Sequence, residues 1–256
     1  FSLEFVETMK KVEEDFCFLY VGHWLQGNLG EDRKDTGMMV KVFLETFKNQ
    51  KNPPGLILKT SGADFSILDR EDILNKISDI KKSVNGVLPP IYLIHGDFTD
   101  SQMNELYNHS KVKAHLTFTH GEGFGRPLLE ATQSGKPVIA PDWSGQVDFL
   151  DKNYAVLLPG GLTQVPKGAL AEQVFFDSPE NKWFTVNYNV ASSVMKDVVK
   201  NYDKYLIKGK QLAVVTSKKF SFEAMKQELE KIVDKILEDV PKQVELKLPK
   251  LQKVKK

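Results

Sequence analysis

Short apolar runs alternate with stretches of helical periodicity through the first 158 residues. The runs are continuous and not alternating, as is typical of strands buried on both faces of a sheet. They predict six strands, at residues 17–21, 56–59, 91–94, 114–118, 137–140 and 154–158. Helical periods lie between them, at residues 38–47, 69–84, 101–109 and 127–134. This alternation predicts an α/β fold: a Rossmann-like, doubly wound parallel sheet with helices on both faces.

The pattern changes at both ends of this region. Pro159-Gly160-Gly161 opens a stretch that we interpret as a loop insertion over about 159–189, and two C-terminal helices are predicted at about 190–206 and 222–240. We therefore predict one domain over residues 16–240. Residues 1–15 have nearly helical apolar spacing and predict a linker or interdomain helix. The tail 241–256 holds six Lys and one Glu, and we expect it to be disordered.

Composition excludes several classes of protein. The 256 residues carry 35 Lys+Arg against 34 Asp+Glu and are 41% hydrophobic, which excludes a disordered chain and provides no overall electrostatic footprint for nucleic acid. The apolar runs are far shorter than the roughly 20 residues that span a bilayer. The single cysteine, Cys17, lies in an apolar run and predicts a core residue. A chain without disulfides is typical of the cytoplasm, and the basic tail leaves open peripheral contact with a membrane.

One loop combines features of a phosphate site with carboxylates. Gly121, Gly123 and Gly125 lie between a predicted strand and a predicted helix, so backbone N–H groups can approach an anion there. The positive end of the helix dipole also favours phosphate at this point. Glu122 in the loop would repel phosphate, as would Glu130 on the helix, unless each carboxylate has donors of its own, such as sugar hydroxyls. The loop therefore predicts a site for a ligand with both phosphate and hydroxyl groups.

These residues resemble a known motif. Glu122–Glu130 (EGFGRPLLE), followed by Gly135–Ala140 (GKPVIA), resembles the Glu-x7-Glu donor site of retaining glycosyltransferases of the GT-B fold, most of all the family-four enzymes. The resemblance extends in order over roughly residues 16–158. It includes Phe18–Gly22, Arg33-Lys34, Leu56–Lys59, Ile94–Gly96 and the predicted helix 100–107.

The resemblance implies roles for individual residues. Glu122 would bind hydroxyls of the donor sugar, and Lys34 would lie at the diphosphate, which makes these two the candidate catalytic residues. Arg33 would assist Lys34, and Glu130 would bind the ribose. The other donor-site residues that we predict are Gly121, Gly123, Phe124, Gly125, Gly22, His23, Lys59, His95 and His120. Cations and amides would meet the charge of the leaving group, so no metal or other cofactor is expected.

Three positions depart from the family pattern. His23 stands where the family often has Arg, Asp35 where it often has Gly, and His120 where a small polar residue is common. His23 donates to phosphate only in a suitable protonation state, so we expect a pH-dependent donor affinity.

The resemblance covers the second of the two domains of a GT-B enzyme. We expect the chain to be the C-terminal half of a longer glycosyltransferase, or a half that needs a partner chain. It would bind a UDP- or GDP-linked hexose for transfer to an unknown acceptor, which is a glycan, a lipid or a protein. Two alternatives stay open: a non-catalytic nucleotide-binding or interaction module, and a GT-B-like epimerase.

Overall fold

A computed structural model describes residues 3–25, 27–169 and 180–238. Its main feature is a six-stranded parallel sheet in the order β3-β2-β1-β4-β5-β6. The strands are β1 Cys17–His23, β2 Gly55–Ser61, β3 Ile91–Ile94, β4 Val112–Leu116, β5 Val138–Pro141 and β6 Val156–Leu158. The predicted six-stranded doubly wound sheet is confirmed.

Helices precede the sheet, connect its strands and follow it. They are α1 Leu3–Lys10, α2 Thr36–Phe47, α3 Ile67–Lys82, α4 Asp100–Asn108, α5 Arg126–Gln133, α6 Tyr188–Lys200, α7 Tyr202–Lys219 and α8 Phe222–Glu238, with a 3₁₀ turn at Gly145–Asp148. Strand β1 pairs with β2 on one side and with β4 on the other. The order of strands reverses at this point, and ligands of open α/β sheets bind in the crevice that the reversal opens at the carboxyl ends of the strands.

Aromatic side chains fill the core between α2 and the sheet. Phe18 of β1 lies edge-on to Phe43 with 6.1 Å between ring centroids, and Phe43 lies 5.3 Å from Phe47. All three rings are buried. Cys17 is buried as well, and burial raises the pKa of its thiol to about 12. The thiol therefore stays protonated and packs as a core residue, as predicted.

The segment that we interpreted as a loop insertion contains a β-hairpin. Strand β7 (Gly160–Gln164) pairs antiparallel with β8 (Lys182–Val186), and each residue of β7 has a partner in β8. Sequence reasoning missed the hairpin because 17 residues separate its strands, far more than the two to five of a recognisable hairpin turn. Residues 170–179, between the two strands, lie outside the described part.

Between residues 188 and 238 the structure has three helices, where the sequence predicted two. A break at Asn201 separates α6 from α7, and α7 continues to Lys219. Residues Phe1–Ser217 form one compact unit and Lys218–Lys256 a second, which contains α8. The basic tail 241–256 lies outside the described residues. Within the described ranges, no helix combines the length and the apolar character needed to cross a bilayer.

Candidate functional site

The two candidate catalytic residues meet in an ion pair. Lys34 lies between β1 and α2, Glu122 lies between β4 and α5, and Lys34 Nζ donates a hydrogen bond to Glu122 Oε1. Arg33 Nη1 lies 3.6 Å from Glu122 Oε2 and donates to the carbonyl of Gly121 at 2.6 Å. The loops after two adjacent strands are thus joined by two cations and one carboxylate.

This ion pair is largely removed from water. The Lys34 and Glu122 side chains are 14% and 12% exposed. Burial lowers the pKa of Lys34 below its ordinary value, and the charge of Glu122 acts in the opposite direction. A partly desolvated pair is destabilised when one partner is removed, because the other charge is left without compensation. The pairing itself was not predicted from the sequence, which assigned the two residues to different parts of the ligand.

A turn after β5 holds the loop that carries Glu122. Ser144 Oγ accepts a hydrogen bond from the Glu122 amide at 3.1 Å and donates to the Glu122 carbonyl at 2.7 Å. The Gly145 amide donates to the same carbonyl at 3.0 Å. A Cβ on Gly145 would lie 2.1 Å from the carbonyl oxygen of Gly123, so this position requires glycine. Sequence reasoning missed this support, for which the only signal is a Ser-Gly pair three residues after a strand.

Glu130 lies in α5, and two hydrogen-bond donors hold its carboxylate. Arg126 Nε is 2.9 Å from Glu130 Oε1, and Tyr107 Oη donates to Oε2 at 3.2 Å. Burial and the charge of Glu130 raise the pKa of Tyr107, so its hydroxyl remains a donor. The Glu130 side chain is 37% exposed, which leaves its carboxylate accessible to hydroxyl groups.

Gly125 and Phe124 lie where the glycine loop becomes α5. Gly125 is the N-cap of the helix and has φ 88°, a left-handed conformation that favours glycine. Phe124 is exposed at the rim of the loop, and its ring lies 5.3 Å from that of Phe149. Gly123 is exposed, and no atom lies within 4 Å of the place that its Cβ would take. The backbone of the loop is therefore open to a ligand on this side.

Lys59 and His95 end the neighbouring strands but have protein partners. Lys59 Nζ donates to the Gly96 carbonyl at 2.6 Å and lies 4.8 Å from the centroid of the Phe98 ring. Burial lowers the pKa of Lys59. His95 Nε2 lies 2.8 Å from Asp69 Oδ2. Their assignment to the donor site stays a prediction.

Gly22 and His23 lie at the end of β1. A Cβ on Gly22 would lie 2.7 Å from the hydroxyl oxygen of Tyr20 in the same strand, so glycine leaves room for the tyrosine side chain. His23 is exposed, and its Nδ1 lies 3.2 Å from Ser61 Oγ on β2. It is accessible to a ligand at the crevice.

His120 is buried between the glycine loop and the hairpin. Its Nδ1 hydrogen-bonds the Phe184 carbonyl at 2.7 Å, and its ring stacks on Trp183 of the hairpin with 3.8 Å between centroids. Burial lowers the pKa of His120 to about 4. A cleft of about 380 Å³ lies beside this stack, and Arg33 and Gly121 also line it. His120 thus connects the hairpin to the loop that carries Glu122.

Comparison with known proteins bears on this geometry. Residues 92–173 match the family described as "Glycosyl transferases group 1". No curated protein matches the sequence.

Within the described ranges, no three His, Cys, Asp or Glu side chains are grouped so that they could hold a metal ion.

Several solved structures share the fold. HepE of Anabaena in complex with UDP-glucose is 11% identical with a TM-score of 0.57, over 92% of this chain and 54% of HepE. Sucrose-phosphate synthase from Thermosynechococcus elongatus is 15% identical with a TM-score of 0.59, over 92% of this chain and 49% of the synthase. The C-terminal domain of LpcC, a glycosyl transferase group 1 family protein from Francisella tularensis, is 15% identical with a TM-score of 0.54, over 80% of this chain and 88% of that domain.

The chain therefore spans about half the length of two of these proteins and most of the isolated C-terminal domain. The likeness confirms the predicted fold, the C-terminal Rossmann-like half of a GT-B architecture. The family match confirms the resemblance to glycosyltransferases, whereas the likeness to retaining, family-four enzymes stays a prediction.

Proposed function

We propose that this chain is the donor-binding domain of a glycosyltransferase that transfers a hexose from a UDP- or GDP-linked sugar, with retention of configuration. The observation that carries the proposal is the meeting of Lys34, Arg33 and Glu122 at the glycine loop, with Glu130 about one turn into the helix that follows. The match of residues 92–173 to group 1 glycosyl transferases supports it. HepE, which shares the fold, was solved with UDP-glucose.

In this proposal the cations stabilise the leaving group. The bond between the anomeric carbon and the diphosphate breaks, and negative charge develops on the diphosphate oxygens. Lys34 and Arg33 are positioned before the reaction begins, so they stabilise that charge without reorganisation, as electrostatic catalysis requires. We propose that they take the place of a metal ion, so a chelator is expected to leave donor affinity unchanged.

The carboxylates bind the two sugars of the donor. Glu122 accepts hydrogen bonds from hydroxyls of the transferred hexose, and Glu130 accepts them from the ribose. The ion pair with Lys34 keeps Glu122 in one orientation before the donor arrives. Retention of configuration rests on the resemblance to the retaining enzymes.

A second domain, in the same protein or in a partner chain, would supply the acceptor site. This chain spans 54% of HepE, which leaves the remainder of such an enzyme to be contributed elsewhere. Positioning of both substrates accounts for a large part of catalysis, so we expect this chain alone to bind donor and to transfer sugar slowly. The acceptor stays unassigned among glycans, lipids and proteins.

Calorimetric titration with UDP, GDP and ADP tests the proposal. We expect one nucleotide to bind and Glu130→Ala to weaken that binding by about 1–3 kcal/mol, because the ribose hydroxyls lose a charged acceptor. The matched control is Glu45→Ala, an exposed helix glutamate paired with Lys48, which should leave affinity unchanged. Equal affinities of the wild type and Glu130→Ala would contradict the role of Glu130, and failure of every nucleotide to bind would contradict the donor-domain function.

A further inference from the structure

Asp35 follows Lys34 directly and has an unusual environment. It is the N-cap of α2 but makes no side-chain cap hydrogen bond, and its φ of 50° lies in the left-handed region that residues other than glycine seldom adopt. The residue is fully buried. Tyr188 Oη donates to Asp35 Oδ2 at 2.7 Å, whereas Oδ1 has no hydrogen-bond partner among the described residues. A strained, buried carboxylate with one unpartnered oxygen requires an explanation.

The unpartnered oxygen faces an unpartnered nitrogen. His120 Nε2 lies 3.9 Å from Asp35 Oδ1, is buried, and also lacks a hydrogen-bond partner within the described ranges. A carbonyl oxygen can only accept, so the hydrogen bond to Phe184 requires the ring proton on Nδ1. In the neutral ring, Nε2 therefore presents a lone pair toward Asp35.

Two lone pairs facing each other in the interior are unfavourable, and one added proton removes the conflict. A proton on either atom creates a donor and an acceptor, and an approach of about 1 Å would bring them to hydrogen-bond distance. Other charged or titratable groups act on the pair: Asp32 and Tyr188 on Asp35, and Arg33 on His120.

These surroundings favour the proton on the carboxyl. Burial raises the pKa of Asp35 to about 7, and the charge of Asp32 adds to this while the Tyr188 hydrogen bond opposes it. Burial lowers the pKa of His120 to about 4, and the Arg33 charge lowers it further. A protonated Asp35 beside a neutral His120 is therefore the favoured state below neutral pH.

We propose that Asp35 and His120 share one proton and act as positioning residues, which hold the Lys34 loop against the Glu122 loop in the geometry that binds donor. A backbone hydrogen bond also joins the same two loops: the His120 amide donates to the Arg33 carbonyl at 2.9 Å. This inference rests on the proposed function. Loss of the proton leaves a buried carboxylate opposite a lone pair, so donor affinity falls as pH rises through neutrality.

Donor affinity measured from pH 5.5 to 8.5 tests the pair. UDP-glucose and GDP-glucose are suitable probes because neither diphosphate ionises in this range. We expect the affinity of the wild type to fall roughly tenfold as Asp35 ionises. This is the change expected if the pKa of Asp35 is one unit higher in the donor complex than in the free chain. Asp35→Asn, whose amide donates to Nε2 without titrating, should lose this pH dependence. His120→Phe, which keeps the stack on Trp183 but has no ring nitrogen, should bind weakly at every pH.

The variant His23→Gln separates the pair from His23, the exposed histidine at the end of β1. A slope that persists in His23→Gln and disappears in Asp35→Asn supports the pair. A wild-type slope that persists in Asp35→Asn overturns it, as does pH-independent binding by the wild type.

A second measurement does not depend on nucleotide binding. In NMR spectra of chain labelled at aspartate ¹³Cγ and histidine ¹⁵N, we expect one carboxyl, absent from Asp35→Asn, to titrate near neutrality, and His120 to be protonated at Nδ1. An Asp35 already ionised at pH 5, or a proton on Nε2, overturns the inference even if His120→Phe fails to fold. If no nucleotide binds at any pH, the proposed function fails and the NMR result alone decides the pair.

Discussion

Gly145 shows how closely the two sides of the candidate site approach. The turn after β5 lies against the glycine loop, so that a Cβ at Gly145 would meet the carbonyl of Gly123 at 2.1 Å and that of Glu122 at 2.9 Å. Neither atom belongs to a flexible side chain, so a larger residue must displace the loop backbone.

Gly145→Ala is therefore expected to weaken donor binding by about 1.4 kcal/mol or more, which is a factor of ten, because Glu122 moves with the loop. Calorimetry with the nucleotide that binds the wild type measures this loss. The control is Gly161→Ala, since no atom lies within 4 Å of its Cβ position. If both variants bind like the wild type, the turn does not position the loop.

Asp35 also makes a prediction for stability. Its folded pKa of about 7 lies above the unfolded value near 3.9, so the folded state binds more protons between these two values. By linkage, this group lowers the free energy of unfolding as pH rises from about 4 to about 7, after which its contribution is constant.

Asp35→Asn removes that titration. Relative to the wild type, the variant should gain stability as pH rises through this window, by about 4 kcal/mol at most. Urea unfolding at pH 5 and pH 8 measures the difference. A stability difference that is equal at both values would show that Asp35 titrates normally.

At the scale of elements, two pairs of stacked rings hold the hairpin of β7 and β8 against loops of the parallel sheet. Trp183 stacks on His120 at 3.8 Å, and Phe184 stacks on Trp143 with 5.5 Å between centroids and 3° between planes. The hairpin thus contacts both the glycine loop and the turn after β5. An isolated two-stranded hairpin is marginally stable, so these contacts decide whether it stays ordered.

Trp183→Ala is expected to accelerate amide hydrogen exchange in β7 and β8 by at least roughly tenfold, corresponding to about 1.4 kcal/mol of lost packing. Amides of the parallel sheet should exchange as in the wild type. Leu162→Ala, in the same hairpin but with a side chain that is 54% exposed, is the control and should have little effect. Equal exchange in all three proteins would mean that the stack does not hold the hairpin.

At the scale of the whole molecule, the chain divides at Ser217. The first unit contains the sheet, the core and every candidate site residue. The described part of the second unit contains α8, in which no residue is buried. Phe222, Met225 and Leu229 are among its exposed apolar residues.

A chain that ends at Ser217 is expected to fold and to bind nucleotide as the full chain does, because its core lies within the first unit. Thermal unfolding followed by circular dichroism, together with calorimetric titration, checks both parts. Loss of cooperative unfolding or of binding in the truncated chain would show that the second unit completes the domain.

The sequence alone determined the sheet and most of its elements. Buried parallel strands are continuous apolar runs, and the helices between them have a 3.6-residue period, so each signal lies within a window of ten to twenty residues. Strand β3 lies at the predicted 91–94, and helix α5 begins one residue before the predicted 127. The glycine loop and the two glutamates were found for the same reason, since they lie within ten consecutive residues.

Only the tertiary structure decided which of these groups meet. Lys34 and Glu122 are 88 residues apart, and they pair because the strand order places β1 beside β4. The place of His120 in the donor site stays a prediction, and its ring packs against a hairpin whose strands carry no local turn signal. Asp35 and His120 face each other through the same strand order. Contacts of this kind depend on chain segments that sequence periodicity, which is a local property, cannot relate to one another.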